Sequence, residues 1–122
     1  MSQMHGIVLF GHGARDPVWA GPMQRTAARI AELSPEMPVE LAFMEFIEPV
    51  LDVAVDRLVA RGATRITVVP VFLAQGGHLK RDVPALVSAA AARHAGVSVT
   101  LATAAGEAPE VIDAIAAYAS RC

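Results

Sequence analysis

A chain of 122 residues with a formal charge of −2 can bury an ordinary hydrophobic core and carries no general excess of positive charge. This balance argues against binding to nucleic acid or to acidic membranes. No apolar run approaches the roughly 20 residues of a transmembrane helix, and no basic segment followed by an apolar core begins the chain. The single cysteine, Cys122, can form no internal disulfide, which suits a reducing compartment. We therefore expect a cytoplasmic protein that binds neither nucleic acid nor membranes.

Apolar runs of strand length alternate with amphipathic segments of helix length along the chain. The pattern predicts strands at residues 4–10, 39–43, 65–71 and 97–101. It also predicts helices that begin near residues 18, 49, 83 and 109. This order predicts an α/β fold in which residues 1–122 form a single-domain three-layer sandwich, a four-stranded parallel sheet with helices on both faces.

The same pattern predicts where individual side chains lie. Trp19 falls on the apolar face of the first helix, which would pack it against the sheet. Asp82 is expected to cap the third helix, because aspartate is favoured at that position. Val111, Ile112 and Ile115 share one face of the fourth helix, and we expect that face to point inward.

Three side chains able to bind a metal ion follow three of the predicted strands. His12 follows the first strand, Glu45 the second and His78 the third. Because the carboxyl ends of parallel strands meet at one edge of the sheet, where α/β proteins bind ligands, we expect all three at the same rim. Imidazole and carboxylate ligands suit Fe²⁺, Co²⁺, Ni²⁺ or Zn²⁺, and three ligands leave positions open for chemistry. The alternative is that both histidines are loop residues that bond to the backbone.

Positively charged side chains accompany both histidines. Arg15 lies close to His12, and Lys80 and Arg81 follow His78. They indicate an anionic ligand, and the alternative for Arg15 is an ion pair with Asp16. Glycines that would let a flat ligand approach the backbone border both histidines, at Gly11, Gly13, Gly76 and Gly77. The sequence contains neither a phosphate-binding P-loop motif nor a dinucleotide fingerprint, so we expect no nucleotide cofactor.

Four segments together resemble the class II tetrapyrrole chelatases in their short single-domain form, the group of the sirohydrochlorin cobalt and iron chelatases. The segments are LFGHGARDP at 9–17, AFMEFIEP at 42–49, VVPVFL at 68–73 and GGHLKRDVP at 76–84. Their combination is specific, whereas no single segment is, and the resemblance runs through most of the chain.

This resemblance implies an enzyme that inserts a divalent metal into sirohydrochlorin without ATP, with Co²⁺ favoured over Fe²⁺ and Ni²⁺. It implies that His12 and His78 bind the incoming metal and accept pyrrole protons, with Glu45 as a further ligand or base. The residues expected to bind the tetrapyrrole are Arg15, Gly76, Gly77, Lys80 and Arg81. The resemblance also implies a homodimer in cobalamin or sirohaem-type biosynthesis. The metal is then a substrate, and no cofactor is permanently bound.

Two other functions stay open at this point. One is a phosphohistidine-type phosphatase or mutase, because a His-Gly pair follows the first strand with Arg15 nearby. That group usually carries arginine directly before the pair, where this chain has Gly11. The other is a carrier that binds metal or tetrapyrrole without turnover. Phosphatase assays without added metal would test the first alternative, and a measurement of turnover would test the second.

Overall fold

Four strands and four α-helices alternate along residues 3–122, the part of the chain that this computed structural model describes. The strands are β1 (Met4–Gly11), β2 (Val39–Phe43), β3 (Ala63–Pro70) and β4 (Ser98–Leu101). The helices are α1 (Gly21–Leu33), α2 (Leu51–Ala60), α3 (Gly77–Ala92) and α4 (Pro109–Ser120). Short 3-10 turns precede α1 at Pro17–Ala20 and α4 at Ala105–Glu107. The number and order of the elements agree with the prediction.

The strands form one parallel sheet in the order β2-β1-β3-β4, so β1 and β3 are the central pair. β1 is buried from Gly6 to Gly11. This burial explains its unbroken apolar run, because a central parallel strand is covered on both faces. The chain moves from β1 to β2 in one direction along the sheet and from β3 to β4 in the other.

Helices pack on both faces of the sheet, as predicted. α2 and α3 cover the face that carries Val8 and Phe10. α1 covers the opposite face over β1 and β2, where Ile7 and Leu9 pack with Met23. The three-layer α/β arrangement is therefore confirmed. None of the helices within residues 3–122 has the length and apolar character needed to cross a membrane.

The last helix, α4, departs from the prediction because it contains no buried residue. The expectation that Val111, Ile112 and Ile115 point into the core is wrong. Within the described chain, α4 packs chiefly against the 3-10 turn that precedes it. The sheet face that α1 covers stays open over β3 and β4, where Arg65 and Thr100 are exposed. Periodicity identified the helix and its apolar face, but it carries no information on what that face contacts.

Two further expectations fail at helix starts. Trp19 lies in the 3-10 turn before α1 and is exposed, because the tighter turn takes it out of phase with the apolar face of the helix. Asp82 lies in the second turn of α3 rather than at its cap, since the helix begins at Gly77. Pro84 favours a helix start nearby, yet the structure accommodates it inside α3 with the loss of one backbone hydrogen bond.

Two residues that follow α3 bind Asp56 of α2 and so join the two helices. The Arg93 guanidinium donates to the Asp56 carboxylate at 2.7 Å, and His94 Nε2 lies 2.6 Å from the same carboxylate. Arg93, and then His94, lower the pKa of Asp56. The folded protein therefore releases this proton more readily than the unfolded chain. The resulting stabilisation is complete above the ordinary pKa of aspartate. It is lost as the pH falls through the lower pKa that Asp56 has in the folded protein.

We expect Asp56→Asn to lower the free energy of unfolding near neutral pH by less than about 1 kcal/mol, because both partners are partly exposed. The difference between the wild type and the variant should shrink as the pH falls through the lowered pKa of Asp56 and the carboxylate becomes protonated. Urea denaturation of both proteins at neutral and acidic pH measures this difference. A difference that does not change with pH would contradict the assignment.

Candidate functional site

The predicted site residues all lie at the rim formed by the carboxyl ends of the strands and the loops that follow them. β1 ends directly before His12, and β3 ends at Pro70. The chain continues from β1 to α1 on one face of the sheet and from β3 to α3 on the other. β1 and β3 are thus the neighbouring strands at which the direction of winding reverses, which is where open parallel sheets bind ligands.

The His12 imidazole is exposed and rests against the buried ring of Phe72. The two ring centroids are 4.3 Å apart, with 37° between the planes. Phe72 packs in turn against Phe10 of the core. Among residues 3–122, side-chain hydrogen bonds occupy the rings of the other three histidines but not that of His12. Aromatic packing, rather than a bond to the backbone, therefore orients this imidazole.

The loop after β2 crosses the loop after β1 through backbone contacts. The Met44 amide donates to the Gly11 carbonyl at 3.0 Å, and the Glu45 amide donates to the His12 carbonyl at 3.2 Å. Gly13 has a φ of +84°, and a Cβ at this position would collide with the Glu45 carbonyl oxygen. The space beside Gly13 is therefore filled by the chain itself rather than left for a ligand. Glycine at this position keeps Glu45 next to His12.

The loop after β2 also provides an aromatic contact for Arg15. Phe46 has a φ of +69°, and its exposed ring lies 4.9 Å from the Arg15 guanidinium carbon. Asp16 serves another purpose, since its carboxylate accepts a hydrogen bond from the Val18 amide at 3.0 Å and caps the 3-10 turn. Within residues 3–122, no carboxylate lies within ion-pair distance of Arg15.

His78 lies in the first turn of α3 instead of in a loop, and it is exposed. An Arg81 N–H donates to His78 Nδ1 at 3.4 Å, which is a weak contact. While Nδ1 accepts this bond, the neutral ring carries its proton on Nε2, so both ring nitrogens are occupied. A metal can bind His78 only after this contact opens. His12 has no competing partner of this kind among the described residues.

The remaining predicted residues lie beside His78 and face open space. Lys80 and Arg81 are exposed, and neither pairs with a carboxylate within residues 3–122. A Cβ added at Gly76 or Gly77 would have no neighbour within 4 Å. The backbone ahead of α3 is therefore free to be approached by a ligand. Together with Arg15, the rim presents three cations that are available to an anionic ligand.

A largely apolar pocket of about 420 Å³ lies beside His12, between α1 and the loop after β2. Its wall includes Trp19, Phe43, Ile47 and Val71. Pockets lined in this way bind small organic molecules rather than bare ions. The rim thus combines one oriented imidazole, an apolar wall and three cations that have no carboxylate partner within residues 3–122, a combination that suits an organic ligand with anionic substituents.

The three predicted metal ligands do not form one closed cluster. Within residues 3–122, no group of three or more His, Cys, Asp or Glu side chains is close enough to hold a metal ion. His12 and Glu45 are joined through the backbone, whereas His78 lies on α3. The roles of these three residues as metal ligands therefore stay predictions.

The family model described as CbiX matches residues 6–122, nearly the whole chain. The chain belongs to the CbiX family. Curated relatives to which this CbiX-family chain is similar include the sirohydrochlorin cobaltochelatases of Methanococcus aeolicus and Methanocaldococcus jannaschii, which are 40% and 43% identical to it over 84 residues. Each match covers 69% of this chain and 59% of the relative. The chain thus matches about three fifths of the length of those relatives.

Solved structures share the fold of this CbiX-family chain. The crystal structure of a CbiX protein from Marinobacter aquaeolei VT8 matches with a TM-score of 0.83 and 37% identity, over 96% of this chain and 95% of that chain. The cobalt complex of the sirohydrochlorin chelatase SirB from Bacillus subtilis subspecies spizizenii matches with a TM-score of 0.81 and 25% identity. That match covers 98% of this chain but 51% of the SirB chain. The fold therefore occurs both in a chain of this length and in one half of a chain about twice as long.

The sequence did not identify three aromatic residues at this CbiX-family rim. Phe72 ends an apolar run and is typical of a core residue, and its spacing from His12 gives no sign that their rings meet. Phe46 contacts Arg15 because the positive φ of Phe46 itself turns its ring back across the loop. The position of Trp19 in a turn could have been predicted from the sequence, because Pro17, two positions earlier, favours a turn there.

Proposed function

We propose that this CbiX-family protein inserts a divalent metal ion into sirohydrochlorin, with Co²⁺ preferred, without ATP and without a permanently bound cofactor. The observation that carries the proposal is the rim, where the oriented His12 imidazole borders an apolar pocket. Three cations of the same rim have no carboxylate partner within residues 3–122. The relatives support the class of reaction, since two are named sirohydrochlorin cobaltochelatase and a third is a sirohydrochlorin chelatase in complex with cobalt.

The proposed reaction exchanges two pyrrole N–H protons for one M²⁺ ion, so the protein must deliver the ion and take up protons. Imidazole suits both tasks, because a free imidazole with a pKa of about 6.5 can bind a metal as the neutral base or accept a proton near neutral pH. One nitrogen cannot hold the metal and a proton together. The proposal therefore divides these tasks between His12 and His78, with Glu45 as a further ligand or base.

The same proposal assigns the rest of the rim to the tetrapyrrole. One face of the ring would lie against the apolar wall that includes Trp19 and Val71. Its carboxylate side chains would pair with Arg15, Lys80 and Arg81, which have no carboxylate partner within residues 3–122. The open backbone at 76–77 would allow the ring to approach α3 closely. These contacts would hold the ring with its central nitrogens toward His12.

The proposal also covers assembly and cellular role. It takes residues 1–122 as one domain and two copies as the working unit, because a flat macrocycle has a second face that one rim leaves uncovered. It places the protein in the cytoplasm, in the biosynthesis of cobalamin or of sirohaem-type tetrapyrroles.

The test is anaerobic absorption spectroscopy of sirohydrochlorin mixed with the protein and with Co²⁺, Fe²⁺ or Ni²⁺ in turn. We expect the free-base bands to convert to those of the metallated ring faster than in the same mixture without protein, and fastest with Co²⁺. Repeated turnover at substoichiometric protein supports an enzyme. A shift in the bands that stops at one equivalent, or no acceleration with any of the three ions, would contradict the proposal and would favour the carrier.

A further inference from the structure

The backbone of the loop after β2 is strained at Phe46. The Ile47 amide donates to the Glu45 carbonyl at 2.8 Å, which makes a γ-turn with Phe46 at its centre. The φ of Phe46 is +69°, which belongs to the rarer, strained form of this turn. Among residues 3–122, Phe46 is the one residue other than glycine with a positive φ. Strain of this kind clusters at functional sites, so the turn indicates a function for the Phe46 side chain.

Burial does not explain why the turn is kept. Phe46 is 58% exposed, so its ring gains little from the hydrophobic effect. The ring instead faces Arg15, whose guanidinium carbon lies over it at 4.9 Å from the centroid. A cation–π contact of this kind is electrostatic, and arginine forms it more often than lysine. The strained turn thus brings an aromatic ring to a cation rather than to the core.

The positive charge of Arg15 stays available, although carboxylates are close to it in the sequence and in the facing loop. The Asp16 carboxylate accepts a hydrogen bond from the Val18 amide. Within residues 3–122, no carboxylate lies within ion-pair distance of Arg15. An aromatic ring, unlike a carboxylate, does not neutralise the guanidinium. Phe46 can therefore restrict the motion of Arg15 and still leave it able to bind an anion.

Restricting Arg15 favours binding, because an exposed arginine otherwise loses its rotamer freedom when an anion binds. We infer that Phe46 is a positioning residue, which holds Arg15 ready for a carboxylate side chain of the tetrapyrrole. The inference rests on the proposed function for the identity of the ligand. It adds the residue on which the Arg15 contact depends, and it gives the strained turn at Phe46 a purpose.

The first measurement is proton NMR of the whole chain without metal or tetrapyrrole. The ring current of Phe46 should shift the Arg15 side-chain resonances in the wild type. Phe46→Leu should lose this shift and Phe46→Tyr should keep it. Both replacements are unbranched at Cβ, so the cost of the positive φ stays the same. Equal Arg15 resonances in the wild type and in Phe46→Leu would overturn the inference, whatever the protein does to sirohydrochlorin.

The second measurement is the affinity for metal-free sirohydrochlorin, from anaerobic absorption titrations over a double-mutant cycle. We expect Phe46→Leu to weaken binding roughly threefold, the size of an exposed cation–π contact. Arg15→Gln should weaken it about tenfold, because a charged hydrogen bond is lost. The double variant should bind no more weakly than Arg15→Gln alone, since the ring acts through the arginine. Phe46→Tyr should bind as the wild type does.

Lys80 provides the matched control cycle. It is an exposed cation of the same rim, but it lies on α3, and within residues 3–122 no aromatic ring lies under it. The effects of Phe46→Leu and Lys80→Gln on affinity should therefore multiply. In insertion kinetics with Co²⁺, Phe46→Leu should raise KM for sirohydrochlorin with kcat unchanged, because it removes binding that the ground state and the transition state share.

Independent effects of Phe46→Leu and Arg15→Gln would overturn the inference, because the ring would then contact the tetrapyrrole by itself. So would equal losses in Phe46→Tyr and Phe46→Leu, or a Phe46→Leu protein that circular dichroism shows to be unfolded. If the Phe46 and Arg15 effects on binding are coupled but the wild type inserts no metal, the proposed function is contradicted and this inference stands.

Discussion

Replacing His12 with alanine should lower the protein-catalysed rate of metal insertion by at least about 100-fold, the range expected when a general base is removed. The imidazole is exposed at the reversal point of the sheet, and Phe72 fixes its orientation from below. It has no hydrogen bond to give up before it binds a metal or a proton, in contrast to the other histidines of the described chain. The measurement is the initial rate of absorbance change above the uncatalysed rate.

The chain provides its own control for this change. His94→Ala removes an imidazole that bonds to Asp56 between α2 and the end of α3, away from the rim. This variant should lose a little stability and keep the full insertion rate. If His12→Ala retained the wild-type rate while its fold was intact, His12 would have no role in the reaction and the proposed function would lose its main support.

The two rim histidines should not be equivalent. His78 must first release the Arg81 contact and has no aromatic ring packed beneath it, whereas His12 is held in place. We therefore expect the insertion rate to depend more on His12 than on His78.

The placement of the rim could be predicted from sequence, and its internal contacts could not. Apolar runs locate the strands, and a parallel sheet brings their carboxyl ends to one edge, so His12 and Glu45 could be assigned to the same region. The contact between them depends on a backbone crossing at Gly13, which is set by loop conformation rather than by periodicity. The start of α3 was missed because Pro84 and Asp82 favour a later start than the one at Gly77.

The error at α4 has a different origin. The 3.6-residue period correctly predicts the helix and its apolar side, but it cannot say whether the covering surface belongs to the same chain. Ile112 and Ile115 therefore satisfy the pattern for a core helix while remaining exposed. Periodicity alone assigns every apolar stripe to the core of its own chain, and α4 is a helix for which this assignment fails.

Replacing Gly13 with alanine should lower the free energy of unfolding by about 2 to 4 kcal/mol and reduce metal insertion by about 100-fold in the folded fraction. Alanine with positive φ costs about 1 to 2 kcal/mol, and the collision with the Glu45 carbonyl must be relieved by separating the two loops. That movement breaks the hydrogen bond from Glu45 to His12, worth about 1 kcal/mol. A shift of about 1 Å at a reacting group can account for the predicted loss of rate.

Gly96→Ala separates the two causes. Gly96 also has a positive φ, of +83°, but a Cβ there would have no neighbour within 4 Å, and it lies in the turn between α3 and β4. This variant should show the conformational cost alone, about 1 to 2 kcal/mol in urea denaturation, with an unchanged insertion rate. If both variants lost the same stability and the same insertion rate, the backbone contact between the two loops would contribute nothing to either quantity. If Gly13→Ala loses more stability than Gly96→Ala, and only Gly13→Ala lowers the insertion rate, the backbone contact with Glu45 positions His12.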